Sequence, residues 1–496
     1  MAEKFLNYIG GKWVEPSTGE WTENRNPADW DEVIGLFPRS GPEDVEKAVA
    51  AAKEAYREWR LVPAPQRGKI MRRIGELLVE HKEEIARDMT REMGKVIEET
   101  RGDVQEAIDT AFYAEGESRR LFAPFVPSEL PNKVAYTMRV PVGIAGLITP
   151  WNFPSAIPAW KMFPAIVSGN TVVIKPATDT PYTVYKMVKL MEEAGLPPGV
   201  VNIVFGSGSK VGIPLVEHPD VKIISFTGSV EVGRDIAERA GRHLKKVSLE
   251  LGGKNAVMIV EDANLELALD GVLWGAFGTT GQRCTATSRL LLHEPIHDKF
   301  IDMLVEAIKK LKLGNGLDES VDVGPLINEK QLQTVHSYVE IGKKEGAKLV
   351  IGGEPAKEGD LAKGWFYKPT VFIDVRPEMR IFQEEIFGPV LSVVKFKTFE
   401  EGVELLNNST YGLSSAIYTE NLLYAMRAAR DFEAGITYVN APTIGAECHL
   451  PFGGVKNTGN GHREGGWTVY EIFTEWKTIY IDFSGKLQRA QIDDGD

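Results

Sequence analysis

Val142-Gly143-Ile144-Ala145-Gly146-Leu147-Ile148-Thr149 is apolar along its whole length and then breaks on Pro150-Trp151-Asn152-Phe153-Pro154. An apolar run of strand length without polar alternation predicts a strand buried on both faces, as in a parallel sheet. The pattern repeats downstream. A helical stretch closes near Gly169, and Thr171 to Lys175 reads as the next strand. Tyr182 to Ala194 reads as a helix stopped by Gly195 and Pro197, and Val201 to Phe205 and Ile223 to Phe226 as further strands. Strands alternating with helices from 142 to 253 predict a Rossmann-like α/β fold. Upstream, Ser40-Gly41-Pro42-Glu43 carries a capping-box pattern, and Val45, Ala48, Val49, Ala52, Tyr56 and Trp59 follow at helical spacing.

A second α/β series begins at Ala256. Strands are expected at Ala256–Val260, Arg289–His293, Lys348–Ile351, Val390–Phe396 and Ile436–Asn440. Helices are expected at Leu265–Gly278, Ile296–Lys312, Glu329–Glu345 and Leu422–Phe432. Two segments fit neither series. Ala123 to Arg139 is polar and extended, Ile472 to Phe483 alternates, and the two can pair as a small projecting sheet. The length of 496 residues suggests about three domains.

Lys and Arg number 57 against 70 Asp and Glu, a net charge of −13 that disfavours a phosphate backbone as partner. Residues 1–10 have no signal-peptide pattern, and the apolar runs are too short to span a bilayer, so no membrane partner is expected. Two cysteines cannot build a disulfide framework and point to a reducing, cytoplasmic setting. Neither stands in a metal-ligand array, so no metal site is expected.

Four short stretches carry chemistry. In Gly281-Gln282-Arg283-Cys284-Thr285, a cysteine among small and flexible neighbours suits a nucleophile that a substrate must approach. A lone cysteine is more often an inert buried side chain, and its company decides. Glu250, between leucines and before Gly252-Gly253, is a carboxylate in apolar surroundings, suited to a general base or else a solvated strand end. Asn152 can donate to a developing oxyanion, or simply make a turn. Phe226-Thr227-Gly228-Ser229 leads a strand into a capped helix start that can hold a pyrophosphate. Gly206 to Gly212 spells GxGxxxG, one residue off the dinucleotide fingerprint.

Taken together, the chain resembles the aldehyde dehydrogenase superfamily from about residue 6 to residue 485. The motifs, in the family's order, are PWNFP (150–154), VIKPA (173–177), FTGS (226–229), LELGGK (249–254), GQRC (281–284), EEIFGPV (384–390) and PFGGVK (451–456). The resemblance implies a cofactor-binding domain (1–122 and 142–252), a catalytic domain (253–468) and an oligomerisation extension (123–141 and 469–496) in a homodimer or homotetramer. It implies oxidation of an aldehyde to a carboxylic acid with NAD or NADP. Cys284 matches the nucleophile and Glu250 the general base. Asn152, with the Cys284 backbone N–H, matches the oxyanion donor. Thr149, Pro150, Trp151, Lys175, Ala177, Thr178, Gly208, Gly212, Phe226, Gly228, Ser229, Leu251, Glu385 and Phe387 match the cofactor positions. Phe153, Trp160, Arg283, Thr285 and Phe452 match the surroundings of the aldehyde.

Thr178 stands where NAD-preferring members often carry a glutamate. It offers no charge against a 2′-phosphate, which favours NADP with NAD still used; the alternative is that Thr178 is neutral to the choice. Residues 440–450 match the substrate-entry loop. The stretches 459–464 and 487–491 resemble bacterial α-ketoglutaric semialdehyde (2,5-dioxopentanoate) dehydrogenases, and GAE (445–447) with GQRCT resembles α-aminoadipic semialdehyde dehydrogenases. Both act on aldehydes with a distal carboxylate, which Arg283 could pair with or else face away from. A general aliphatic or aromatic aldehyde, a CoA-acylating reaction and a silent structural protein are the alternatives. The intact Glu250 favours water over CoA, and the intact Cys284, Glu250 and Asn152 oppose silence.

Overall fold

The computed structural model describes residues 2–492; Met1 and 493–496, the outer ends of the expected cofactor and extension spans, lie outside the described residues. The expected α/β series forms a seven-stranded sheet. Its order is Lys246–Glu250, Val221–Thr227, Ile144–Ile148, Thr171–Lys175, Val201–Ile203, Asn7–Ile9 and Lys12–Val14. The first five strands are parallel. Two N-terminal strands that the sequence reading did not anticipate continue it antiparallel.

Both faces of this sheet are covered, which is why its strands read as uninterrupted apolar runs. Along Ile144–Ile148 the side chains alternate. Ala145 and Leu147 join the core under the helices Ala64–Glu80, Ile97–Glu117 and Ala156–Val167. Ile144 and Ile148 face Val45, Ala48, Val49 and Ala52 of the helix Pro42–Trp59 on the other side. That helix begins one residue later than the Ser40 pattern implies. Gly41 is its N-cap, with Asp44 accepting the Gly41 N–H at 3.0 Å, while Ser40 Oγ accepts from Asn7 instead.

Chain order across the sheet reverses at Ile144–Ile148: later strands add first on one side and then on the other. Ligands bind at such a switch point, outside the carboxyl ends of the strands. The strands ending at Ile148, Thr227 and Glu250 put Asn152, Thr227 and Glu250 at that edge.

The second sheet also has seven strands, in the order Lys348–Ile351, Thr370–Ile373, Val390–Phe396, Thr287–His293, Asn255–Ile259, Ser414–Tyr418 and Ile436–Val439. Only the Lys348–Ile351 edge is antiparallel. Thr370–Ile373 and Ser414–Tyr418 escape the sequence reading because hydroxyl residues open them. Their hydroxyls find partners only after folding: Ser414 Oγ donates to the Thr443 carbonyl and Thr370 Oγ1 to that of Lys368, both at 2.7 Å.

The two unassigned segments do pair. Lys133–Pro141 lies antiparallel between Phe125–Pro127 and Thr474–Asp482. Ile472 belongs to the short helix Tyr470–Phe473, so the last strand starts two residues later than expected.

Candidate active site

The nucleophile loop follows the helix Leu265–Phe277 through a left-handed stretch. Thr279 and Thr280 have φ of 51° and 57°, and Gly281 has 68°. Non-glycine residues there cost roughly 1–2 kcal/mol each, so the surroundings must hold them. The Glu99 carboxylate accepts the Thr279 N–H at 2.8 Å, and Gln282 Oε1 accepts the Ile327 N–H at 2.9 Å. A Cβ on Gly281 would stand 2.2 Å from the Gly388 carbonyl oxygen, so the site needs glycine there. Beyond the stretch, Asn255 Nδ2 donates to the Cys284 carbonyl at 2.8 Å.

Cys284 stands where two cavities meet. One, about 120 Å³, is lined by Phe153, Trp160, Arg283, Thr285, Phe452 and Glu250 among others. The other, about 240 Å³, is lined by Pro150, Trp151, Asn152, Gly228, Ser229, Glu385 and Phe387. Cys284, Thr227 and Leu251 belong to both walls. All five expected aldehyde contacts therefore face one chamber, and seven of the expected cofactor positions, counting Leu251, face the other.

Burial, then the charges of Glu385 and Glu250, pushes the Cys284 thiol up to about 12. The resting thiol is protonated and needs a base. Glu250, 3% exposed at the end of its strand, has neither carboxylate oxygen hydrogen-bonded. Burial, and secondarily the nearby Glu464, raises its pKa well above 4.5. A buried carboxylate without partners costs stability and is kept for chemistry. Behind it Lys161 pairs with Glu464 and donates to Ser225 Oγ at 2.8 Å. The sequence reading missed both Lys161 and Glu464. The available signal was a lone lysine in the otherwise apolar helix Ala156–Val167.

Asn152, also 3% exposed, donates one amide hydrogen to the Gln282 carbonyl at 3.0 Å, which leaves the other for a substrate oxygen. On the second cavity's wall, Glu385 Oε1 accepts the Gly253 N–H at 2.9 Å. A Cβ on Gly252 would stand 2.3 Å from Glu385 Oε2, so the glycine lets the carboxylate in. Phe387 has φ 58°, packs edge-on against Trp151 at 5.3 Å and is held by Gln331, which donates to its carbonyl at 2.8 Å. Gln331 lines this cavity and was not anticipated.

The remaining cofactor positions lie elsewhere. Phe226 is buried in the core beneath Gly228, where a Cβ would stand 2.5 Å from its ring. Thr149 is buried just past the strand Ile144–Ile148 with its hydroxyl unpartnered. Lys175, which ends the strand Thr171–Lys175, and Ala177 just beyond it are buried, and Thr178 is exposed. Lys175 Nζ donates to the Pro176 carbonyl at 2.8 Å, and burial lowers its pKa to about 8. Asp179 accepts from Asn328 at 3.0 Å. Gly208 and Gly212 form a helical turn capped by Ser207, with Gly212 against the Lys175 stem, rather than a phosphate-binding fingerprint loop.

Arg283 faces the first cavity, but its guanidinium already donates to Glu99 at 2.8 Å and to Thr279 Oγ1 at 2.9 Å. Beside it, the fully buried Lys95–Asp103 pair at 2.6 Å sets Lys95 over the Phe153 ring at 3.7 Å. Asp103 also accepts the Ala156 N–H at 2.7 Å, so one acid fixes the cavity wall and the start of its helix. Cys448 opens on a different small cavity with Tyr113 and Tyr470. Among the described residues no group of side chains could hold a metal ion, and no helix is long and apolar enough to cross a membrane.

The description "Aldehyde dehydrogenase family" matches residues 13–479. The chain is 43% identical to alpha-ketoglutaric semialdehyde dehydrogenase of Bacillus subtilis, over 96% of this chain and 98% of that protein. It is 43% identical to alpha-ketoglutarate semialdehyde dehydrogenase of Haloferax volcanii, over 97% and 100%. Among solved structures, betaine aldehyde dehydrogenase of Staphylococcus aureus in complex with NAD+ superposes with a TM-score of 0.95 at 36% identity, covering 97% of this chain and 96% of that one. The chain therefore belongs to the aldehyde dehydrogenase family and is an aldehyde-oxidising oxidoreductase.

Proposed function

We propose that this protein oxidises a semialdehyde acid of the α-ketoglutaric semialdehyde type, with covalent catalysis at Cys284. The observation that carries the reading is a single thiol on the shared wall of two chambers, with an unpaired carboxylate beside it. Cys284 Sγ attacks the aldehyde carbon, and its proton passes to Glu250. The oxygen that gains charge is held by the free amide hydrogen of Asn152 and the Cys284 N–H. Loss of the aldehyde hydrogen as hydride leaves a thioester on Cys284. Glu250 gives its first proton up to solvent, then takes a proton from the water that attacks the thioester, and the Cys284 thiolate departs as the acid is released.

A nicotinamide dinucleotide fits the second chamber. The unpartnered Thr227 hydroxyl, Glu385 on the Gly253 N–H, and the helix start capped by Ser229 offer hydrogen-bonding groups for it. When bound, it supplies the hydride acceptor. The names of the two semialdehyde-oxidising relatives support the substrate class. The test is NAD(P)H formation with α-ketoglutaric semialdehyde against pentanal, with and without CoA. A semialdehyde acid preferred at least tenfold in kcat/KM, with no CoA requirement, is expected. No preference, or dependence on CoA, overturns the reading.

Cofactor choice rests on Thr178, which is exposed and uncharged. NADP is accepted at least as well as NAD. A carboxylate there would repel a 2′-phosphate by roughly 1–4 kcal/mol, about ten- to several-hundred-fold. Thr178→Glu is expected to raise the NADP Michaelis constant at least tenfold and barely change that for NAD. Wild-type enzyme that rejects NADP would place specificity at another residue.

The expected division into a cofactor domain, a catalytic domain and an oligomerisation extension supports a homo-oligomer, in a reducing compartment that keeps both cysteines free. The three-stranded arm exposes Phe125, Val126, Tyr480 and Ile481, side chains that a second copy would cover. Ile481→Lys is expected to at least halve the mass in light scattering. An unchanged mass would sink this role for the arm.

A further inference from the structure

The aldehyde chamber opens outward through a neck. Glu106, Phe153, Arg283 and Gly445 line both the chamber and a larger outer groove. Four of the charged groups near the neck are already committed. Arg283 is paired with Glu99, and Lys95 with Asp103. Glu106 is different: among the described residues its carboxyl makes no hydrogen bond and no ion pair, although it lines both the chamber and the groove. Trp160 Nε1, in the same chamber, is likewise buried without a partner.

We infer that Glu106, in its protonated form, is a specificity-determining residue that donates a hydrogen bond to the distal carboxylate of the substrate, and that ionisation of Glu106 expels that carboxylate. The inference rests on the proposed substrate class. Arg283 alone serves this role poorly. Its charge is matched by Glu99, so an anion arriving at the neck meets a neutral pair. Within that pair, among the described residues, Nη1 is the guanidinium nitrogen without a hydrogen bond. A protonated carboxyl on the same shared wall as Arg283 offers a second donor, and two donors match a carboxylate's two oxygens.

The surroundings favour the protonated form at neutral pH. Burial first, then Asp103 on its own helix, pushes Glu106 up to about 8, against Lys95 just before that helix and Arg283 on the nucleophile loop. Asp109, one helical turn on, adds to the rise. From the segments closing the chamber, Tyr438 and Cys448 also face it, both neutral in this range because burial raises each, to about 12 and about 11. Above pH 8, Glu106 becomes the unpaired negative charge at the neck. The fraction of enzyme able to take an anionic aldehyde then falls with each further unit of pH, because binding requires the protonated form.

The experiment compares α-ketoglutaric semialdehyde with pentanal, as the ratio of their kcat/KM values, in wild type and Glu106→Gln from pH 7 to pH 9.5. The ratio cancels titration of Cys284 and Glu250, which both substrates share, and the α-keto carboxylate stays ionised throughout. In wild type the ratio is expected to fall on the order of tenfold, with a midpoint near 8. In Glu106→Gln, whose amide still donates but cannot ionise, it is expected to stay flat at about the wild-type neutral value. A flat wild-type ratio, or a glutamine variant that keeps the fall, overturns the role of Glu106 while leaving the substrate class standing. A semialdehyde acid no better than pentanal at pH 7 in both proteins overturns the substrate class, and this inference with it.

Discussion

Cys284→Ser is expected to lower aldehyde oxidation by at least about a thousandfold while leaving dinucleotide affinity within about twofold. A hydroxyl in a chamber that already pushes a thiol up to about 12 has no accessible ionised form. The side chain differs by one atom, so the second chamber keeps its shape. Dinucleotide affinity by fluorescence titration, beside steady-state turnover, separates the two effects. Substantial turnover by the variant would rule out covalent catalysis. Cys448→Ser is the control. Cys448 opens on another cavity, with Tyr113 and Tyr470, and its loss is expected to change turnover less than about threefold. An inactive Cys448→Ser would move the nucleophile.

Glu250→Gln is the second large effect. An amide cannot accept water's proton, so thioester hydrolysis is expected to slow by roughly 10²–10⁴. Rapid mixing is expected to give a burst of NAD(P)H close to one per site, followed by slow turnover. Unchanged activity at neutral pH would demote Glu250 to a structural residue. The same change is expected to raise the melting temperature at pH 7–8. A carboxyl whose folded-state pKa lies above its unfolded value binds more protons when folded, so stability is lost as pH rises past the unfolded value. Glutamine removes that loss and keeps the volume. A variant that melts lower than wild type at pH 8 would contradict the unpaired, buried carboxylate.

The parallel strands around residues 142–253 were legible because burial on both faces leaves one kind of residue permitted, and Ile144–Ile148 contains nothing else. Ser414–Tyr418 was not legible, because a strand that opens on two serines reads as a turn until Thr443 and Ile436 supply acceptors for the hydroxyls. The motifs named Cys284, Glu250 and Asn152, each with an ordinary alternative. Lys161 and Glu464 went unnoticed, since a pair separated by 303 positions has no local pattern. Arg283 was named but its state was open. Whether it was free depended on Glu99, on a helix 184 residues away.

What the sequence determined by itself was the order of strands and helices, the family, and the residue types at the reacting centre. These follow from periodicity and short motifs, whose causes lie within a few residues. What the tertiary structure alone decided was environment. Cys284 lies between two chambers, and among the described residues Glu250 has no hydrogen-bond partner, Arg283 is already paired, and the Glu106 carboxyl is neither hydrogen-bonded nor ion-paired. Burial and charge pairing are properties of whatever the fold brings within a few ångströms, and no spacing along the chain encodes them.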